Sequence, residues 1–280
     1  MTGTITVGLD GADHSLTAAD WAAAEAARRD MSLRLVHTPP DEAGAEEAGR
    51  RLLSDVAARV TAAAPGVAVG TELLAGDTVE ALVAEAAKAG MLVLGARGHG
   101  ALVGYLLGSV SLHVLRQARG PVVVVRGREP GAPERPGPEE VVVGVQETDE
   151  AGAPVLEFAF RAAAARGAVL RAVRTWALPT PYALATGELG ASDQAGGLEA
   201  WHKQLLGDAL RPFRERFPQV TVVEQVELGS AAEVLLTSSG RAGLVVVGRR
   251  MREGGLWRIG AAAHAVLHHS GAPVAVVPHA

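Results

Sequence analysis

A doubly wound α/β fold, present twice in tandem, is the architecture this sequence predicts, and three patterns predict it. Continuous aliphatic and β-branched runs alternate with Ala-rich segments of helical period. The 280-residue chain is divided near its middle by GREPGAPERPGPEE, a stretch rich in Pro, Gly and charge with no apolar periodicity. The halves on either side align with each other. ITVGLDGADHSLTAADWAAAEAARR matches VVVGVQETDEAGAPVLEFAFRAAAAR near their starts, and GSVSLHVLRQARGPVVVVR matches IGAAAHAVLHHSGAPVAVVP near their ends. Repeats of ~140 residues are domain-sized copies, whereas solenoid units run ~20 to 50 residues. The expected organisation is a domain at 1–127, a linker at 128–139 and a second domain at 140–280, each a five-stranded parallel sheet with helices on both faces.

Within the first copy the five strands are TITVGL, LRLVHT, GVAVGTELL, MLVLGA and PVVVVR. Strands that are apolar at consecutive positions are covered on both faces, as helices on either side of a parallel sheet provide. Between the first two strands, Thr17 to Arg29 places Trp21, Ala24 and Arg28 along one stripe. Thr78 to Lys88 repeats apolar residues at Val79, Leu82, Val83 and Ala86. Arg28-Arg29 and Arg50-Arg51 read as solvated helix faces. In the second copy, WALPTPYALATGELGASDQAGGLEAWHK reads as a long surface loop that ends where a helix over Glu199 to Arg216 begins.

Composition narrows the functions available. A hydrophobic content of 48% supports sizeable cores, and a formal charge of −5 gives no electrostatic reason to expect nucleic acid or an anionic membrane as partner. The absence of cysteine excludes disulfides, thiolate metal sites and a Cys nucleophile, and fits a reducing cytoplasm. MTGTITVGLD has neither a basic nor an apolar signal region, and no apolar stretch approaches the ~18 residues of a spanning helix. The expectation is a cytoplasmic protein.

The chemistry is concentrated in GARGHGALVGYLLGS, where Gly95, Gly98, Gly108 and Ser109 fall between the apolar run MLVLG and the helix-patterned VSLHVLRQA. Glycine lets backbone amides approach an anion, and the first turn of a helix offers unpaired N–H groups with a partial positive charge. The segment therefore reads as a phosphate cradle, with a Gly-rich turn as the alternative. Asp10 ends the first strand and Gly95 the fourth, so both point to the carboxyl edge of the sheet where its strand order reverses. Asp10 is a ligand group there or, alternatively, part of a turn that Asp13 or Ser15 caps. No GKS or GKT triplet is present, and no lysine lies between Gly90 and Lys203. Neither His99 nor Asp10 stands out as a base for hydrolysis. His264 and His268 have the spacing of a helical metal pair, or oppose a helix dipole.

With VGLDG, LVHT, Gly76-Asp77, MLVLGARG, GSVS and PVVVVR assembled, the chain resembles a tandem universal stress protein, a Rossmann-like family. Gly-x2-Gly-x9-Gly-Ser is that family's ATP-binding signature. The resemblance implies ATP across the carboxyl edge of the first sheet, with Asp10 facing the ribose and any phosphate-bound Mg or Mn. Gly8 and Leu9 would lie beside the nucleoside, and Thr38 would contact the adenine through its backbone. Gly95 and Gly98 would curl against the phosphates, and Gly108, Ser109 and Val110 would present amides to them. In this family the last strand pairs with its counterpart from another domain, so PVVVVR and PVAVVP would pair within this chain, with further homodimerisation open.

The second copy departs from that pattern. Gln146 stands at the Asp10 position, Gly248 keeps the first glycine, Met251 replaces the second, and Gly260 is followed by Ala261 in a loop one residue shorter. This copy is not expected to bind ATP as the first does; Arg249, Arg250 and Arg252 would hold an anion or face solvent or a partner. The resulting expectation is an ATP-binding stress-response regulator with one intact site, not a committed enzyme. The alternatives are an interaction module with a vestigial site and an unidentified protein partner, and a slow ATPase.

Overall fold

The computed structural model describes residues 3–96, 107–126, 140–177, 188–250 and 259–280. The linker expected at 128–139 lies outside them. The first half runs β1 (Thr4–Gly8), α1 (Asp13–Arg29), β2 (Ser32–His37), α2 (Ala45–Ala63), β3 (Val69–Leu73), α3 (Thr78–Lys88), β4 (Met91–Ala96), α4 (Ser109–Gln117) and β5 (Val122–Arg126). The second repeats the order with β6 (Glu140–Gly144), α5 (Ala153–Arg166), β7 (Leu170–Trp176), α6 (Glu188–Arg216), β8 (Val222–Leu228), α7 (Ala231–Ser239), β9 (Ala242–Arg250), α8 (Ala261–His269) and β10 (Val274–His279). The α/β class and the two five-stranded parallel sheets are as the sequence predicts.

The two sheets are joined edge to edge into one of ten strands, in the order β3-β2-β1-β4-β5-β10-β9-β6-β7-β8. Every neighbouring pair is parallel except β5 and β10, which run antiparallel with Val122 opposite Val276 and Val124 opposite Val274. PVVVVR and PVAVVP thus cover each other's edges, which removes two flat apolar strands from solvent. Strand order reverses between β1 and β4 in the first half and between β6 and β9 in the second.

Alternation along each strand divides the core. Ile5, Val7, Leu33, Leu35, Met91 and Val93 face α1 and α2, while Val36, Leu92, Leu94, Val122 and Val124 face α3 and α4. α3 follows its expected stripe, with Leu82 and Ala86 buried. α1 does not: its buried face is Ala18, Ala19, Ala22, Ala23 and Ala26, while Ala24 and Arg28 are exposed. Small side chains let this helix lie close on the sheet, a contact that a search for large apolar residues overlooks. α6 also differs from expectation, beginning at Glu188 rather than Glu199. The Gly content of that stretch suggested a loop, but it carries Leu, Ala and Gln that support a helix.

A pseudo-twofold seam relates the halves. The Arg29 guanidinium lies 5.2 Å from the Phe158 ring and Arg166 lies 5.8 Å from the Trp21 ring, a reciprocal exchange between equivalent positions of α1 and α5. Between them is buried Glu25, whose Oε1 accepts from Arg29 Nε at 2.5 Å and from Arg166 Nη1 at 2.9 Å. Arg29 is therefore no solvated residue; Arg50 and Arg51 are exposed and pair with Glu46 and Glu47. A second exchange crosses the β5/β10 junction. Arg126 donates to the His268 and Ser270 carbonyls at the end of α8, and buried Arg249 donates to the Leu115 and Ala118 carbonyls at the end of α4. Each half thus satisfies carbonyls at a helix terminus of the other. Burial pushes the Arg249 pKa down to about 10. No helix among the described residues is long and apolar enough to cross a membrane.

Candidate functional site

The carboxyl ends of β1, β2 and β4 and the starts of α1, α3 and α4 enclose a cleft of about 340 Å³ in the first half. Gly8, Leu9, Asp10, Thr38, Gly95, Gly108, Ser109 and Val110 all line it. Gly98 lies outside the described residues, as does His99. His14, Ser15, His37, Thr78 and Ser111 also line the cleft, and sequence reasoning did not assign them. LVHT and Gly76-Asp77 held part of that signal. Asp77 caps α3 by accepting from the Val79 and Glu80 amides at 2.9 and 3.0 Å, which sets Thr78 at the first helical position facing the cleft.

Asp10 is held by its own turn. Its Oδ1 accepts from the Ala12 amide at 3.0 Å, and its Oδ2 lies 3.1 Å from His14 Nε2. Burial opposes its ionisation, but the Ala12 amide, the Ser15 hydroxyl and His14 together keep the carboxyl below its ordinary range. The carboxylate is half exposed toward the cleft. Ser15, one of the two alternative caps of this turn, closes it from both sides: its Oγ accepts from the Asp10 amide at 3.4 Å and donates to the Ala12 carbonyl at 2.8 Å. At the neighbouring strand, the His37 Nδ1 is 2.8 Å from the Leu9 carbonyl, tying the ends of β1 and β2 together.

Gly95 is needed for a reason other than contact with a phosphate. A Cβ there would sit 2.4 Å from the His14 carbonyl oxygen and 2.8 Å from the His14 ring, so the glycine admits the first turn of α1. At Gly108 a Cβ would meet nothing within 4 Å, leaving open space before α4. Gly108 is the residue preceding that helix, and among the described residues no side chain caps it. Among the described residues the Ser109 hydroxyl makes no hydrogen bond, and the first-turn amides of α4, which lack intrahelical acceptors, lie at the cleft. Thr38 Oγ1 is buried without a hydrogen-bond partner among the described residues. An unpartnered buried hydroxyl is costly unless a ligand or water completes it.

The second half has an equivalent cleft of about 370 Å³ at the ends of β6, β7 and β9, and Gln146, Gly248, Gly260 and Ala261 line it. Two of the three arginines singled out near its glycine loop are committed elsewhere, Arg249 to the seam and Arg250 to Glu147 at 3.2 Å, which corrects the anion-holding and solvent-facing alternatives for Arg249. Met251 and Arg252 lie outside the described residues. The His264 and His268 rings are 4.3 Å apart, and burial, aided by His268, Arg116 and His269, lowers the His264 pKa. Among the described residues no three metal-binding side chains cluster.

The model of the Universal stress protein family matches residues 1–126 and again residues 138–278. Universal stress protein Rv1996 of Mycobacterium tuberculosis is 32% identical over 97% of this chain and 94% of its own length. Universal stress protein Rv2005c of the same organism is 33% identical over 97% of this chain and 96% of its own. A crystal structure of a universal stress protein from Archaeoglobus fulgidus superimposes with a TM-score of 0.72 at 16% identity, covering 99% of this chain and 98% of that one.

Proposed function

This chain belongs to the universal stress protein family, and from that premise we propose that its first half binds one adenine nucleotide, ATP, and that the protein acts as a cytoplasmic nucleotide-binding stress regulator. The observation that carries this reading is the coincidence, in one cleft, of a helix start at Gly108 that no side chain among the described residues caps, the adjoining Ser109 hydroxyl and the half-exposed Asp10 carboxylate. The adenine fits beside Gly8, Leu9 and the backbone of Thr38. The phosphates fit at the amides of Ser109 and Val110, with Gly98 completing the loop. Half-exposed Asp10 faces the ribose and a Mg or Mn ion carried by the triphosphate.

Nothing in the described cleft favours rapid turnover. It has no lysine to stabilise a transferring phosphoryl group, and His14 is engaged with Asp10. Slow ATP hydrolysis is the second reading, favoured by that same Asp10–His14 pair in the cleft.

Calorimetry on the full chain tests the main reading. One ATP per chain is expected, weakened by Ser109→Ala and by Gly98→Met; two equal sites, or none, would overturn it. Mass spectrometry of nucleotide that copurifies with the chain identifies the bound species. Phosphate release that disappears in an Asp10→Asn, Ser109→Ala double variant would credit the slow-ATPase reading, and release that persists would not.

A further inference from the structure

The cleft of the second half is left unused by the nucleotide reading. It matches its counterpart in size and position and keeps Gly144, Val173, Thr175, Leu235, Gly248 and Gly260 where the first has Gly8, Val36, Thr38, Leu82, Gly95 and Gly108, but other lining positions differ. Ser15, Thr78, Ser109 and Ser111 correspond to Gly152, Ala231, Ala261 and Ala263, so four hydroxyls are replaced by hydrogen or methyl. Gln146 takes the place of the Asp10 carboxylate. Val155 and Leu156 of α5 line this cleft, at positions where α1 carries Ala18 and Ala19. With Val173, Leu235 and Val247, which stand at the Val36, Leu82 and Leu94 positions, they give it hydrocarbon walls against which an apolar body gains contact, beside the polar Gln146 and Thr175. The volume lies within the range of small-molecule pockets, ~300 to 1,000 Å³.

One cation is fixed in the lining. Arg174 stands at the His37 position, donating from Nη1 to the Val145 and Gln146 carbonyls at 3.3 and 2.7 Å and from Nε to His202 Nδ1 at 3.1 Å. Its Nη2 has no partner among the described residues. Glu147, the carboxylate in the lining, is paired with Arg250. His279 completes the wall, its ring packed where a Cβ on Gly248 would lie 2.8 Å from Nε2. An apolar body and one held guanidinium suit an amphipathic anion.

We propose that the second cleft binds a small, predominantly apolar organic acid, its hydrocarbon body against Val155, Leu156, Val173, Leu235 and Val247 and its carboxylate on Arg174. This binding is independent of nucleotide in the first cleft. The probes are 1-naphthoate and octanoate with their uncharged amides, titrated calorimetrically into the full chain with and without saturating ATP. At least one acid should bind with one molecule per chain, unaffected by ATP, and at least about tenfold more tightly than its amide. Arg174→Met should reduce the acid to the level of the amide, and Ala262→Trp, which fills the cleft, should weaken both. Methyl NMR of the unmutated chain locates the probe independently of either variant. Shifts at Val173, Leu235 and Val247 are expected, with Val36, Leu82 and Leu94 unmoved. Binding of neither acid, displacement by ATP, equal affinity for acid and amide, or shifts confined to the first cleft would each overturn the proposal. A chain that binds the acid but no ATP would overturn only the nucleotide reading.

Discussion

The two clefts occupy the same place in the same fold and have nearly the same volume, but at four equivalent positions one carries hydroxyls where the other carries hydrogen or methyl, and Asp10 of the one is Gln146 in the other. The glycines framing them behave differently too. Gly95 lies against backbone, the His14 carbonyl, whereas its equivalent Gly248 lies against the imidazole of His279 near the chain end. A shared scaffold thus fixes where a ligand can lie, through the strand-order reversal, and leaves its chemistry to side chains that the sheet does not need.

The largest test of this comparison is at the seam. Glu25→Ala makes α1 match α5, where Ala162 holds the equivalent position, but it leaves Arg29 and Arg166 clustered without their carboxylate. A loss of about 3–5 kcal/mol is expected in denaturant unfolding. Gly95→Ala should cost about 2–3 kcal/mol because backbone must move. Gly248→Ala should cost under about 1 kcal/mol, since the His279 ring can swing aside; equal costs in thermal unfolding would remove the distinction. In ligand binding, Ser109→Ala should weaken ATP about fivefold, while Ala261→Ser should create no ATP site. The smallest effect concerns pH. The Asp10 carboxyl is held below its ordinary value, so its contribution is fully present above about pH 3.9 and is lost as pH falls through the lower folded value. Asp10→Asn should therefore be less stable than the parent at pH 7, by under about 1 kcal/mol for so exposed a group. The gap should close on acidification.

The fold was readable because its strongest signals are local or repeated. Five strand-patterned runs per half, the internal repeat and two apolar terminal strands specify parallel sheets and their junction, although the edge strands β3 and β8 have no fully buried residue. The stripe on α1 was misread because alanines carry its packing, and α6 began earlier than its glycines implied. The cleft was legible where it is made of backbone, at Gly8, Leu9, Gly108 and Val110. His14, His37 and Thr78 are brought in by turns and caps distant in sequence from the glycine loop, which no local motif encodes. Arg249 was left between an anion ligand and a residue facing solvent or a partner because its acceptors are carbonyls of the other half, 134 and 131 residues away. The second cleft was hidden for a different reason: a missing motif signals lost ATP chemistry and says nothing about the space that remains.

Glu25 carries a consequence for assembly. In a dimer of identical chains, a residue near the symmetry axis must face its own copy, and two carboxylates there would repel each other between the same arginines. Here the facing element is α5, which offers Ala162 at that position. Covalent connection holds the two surfaces at high effective concentration whatever the protein concentration, and frees each from being its own complement. A one-sided ion cluster of this kind is open to a tandem chain and closed to a symmetric pair.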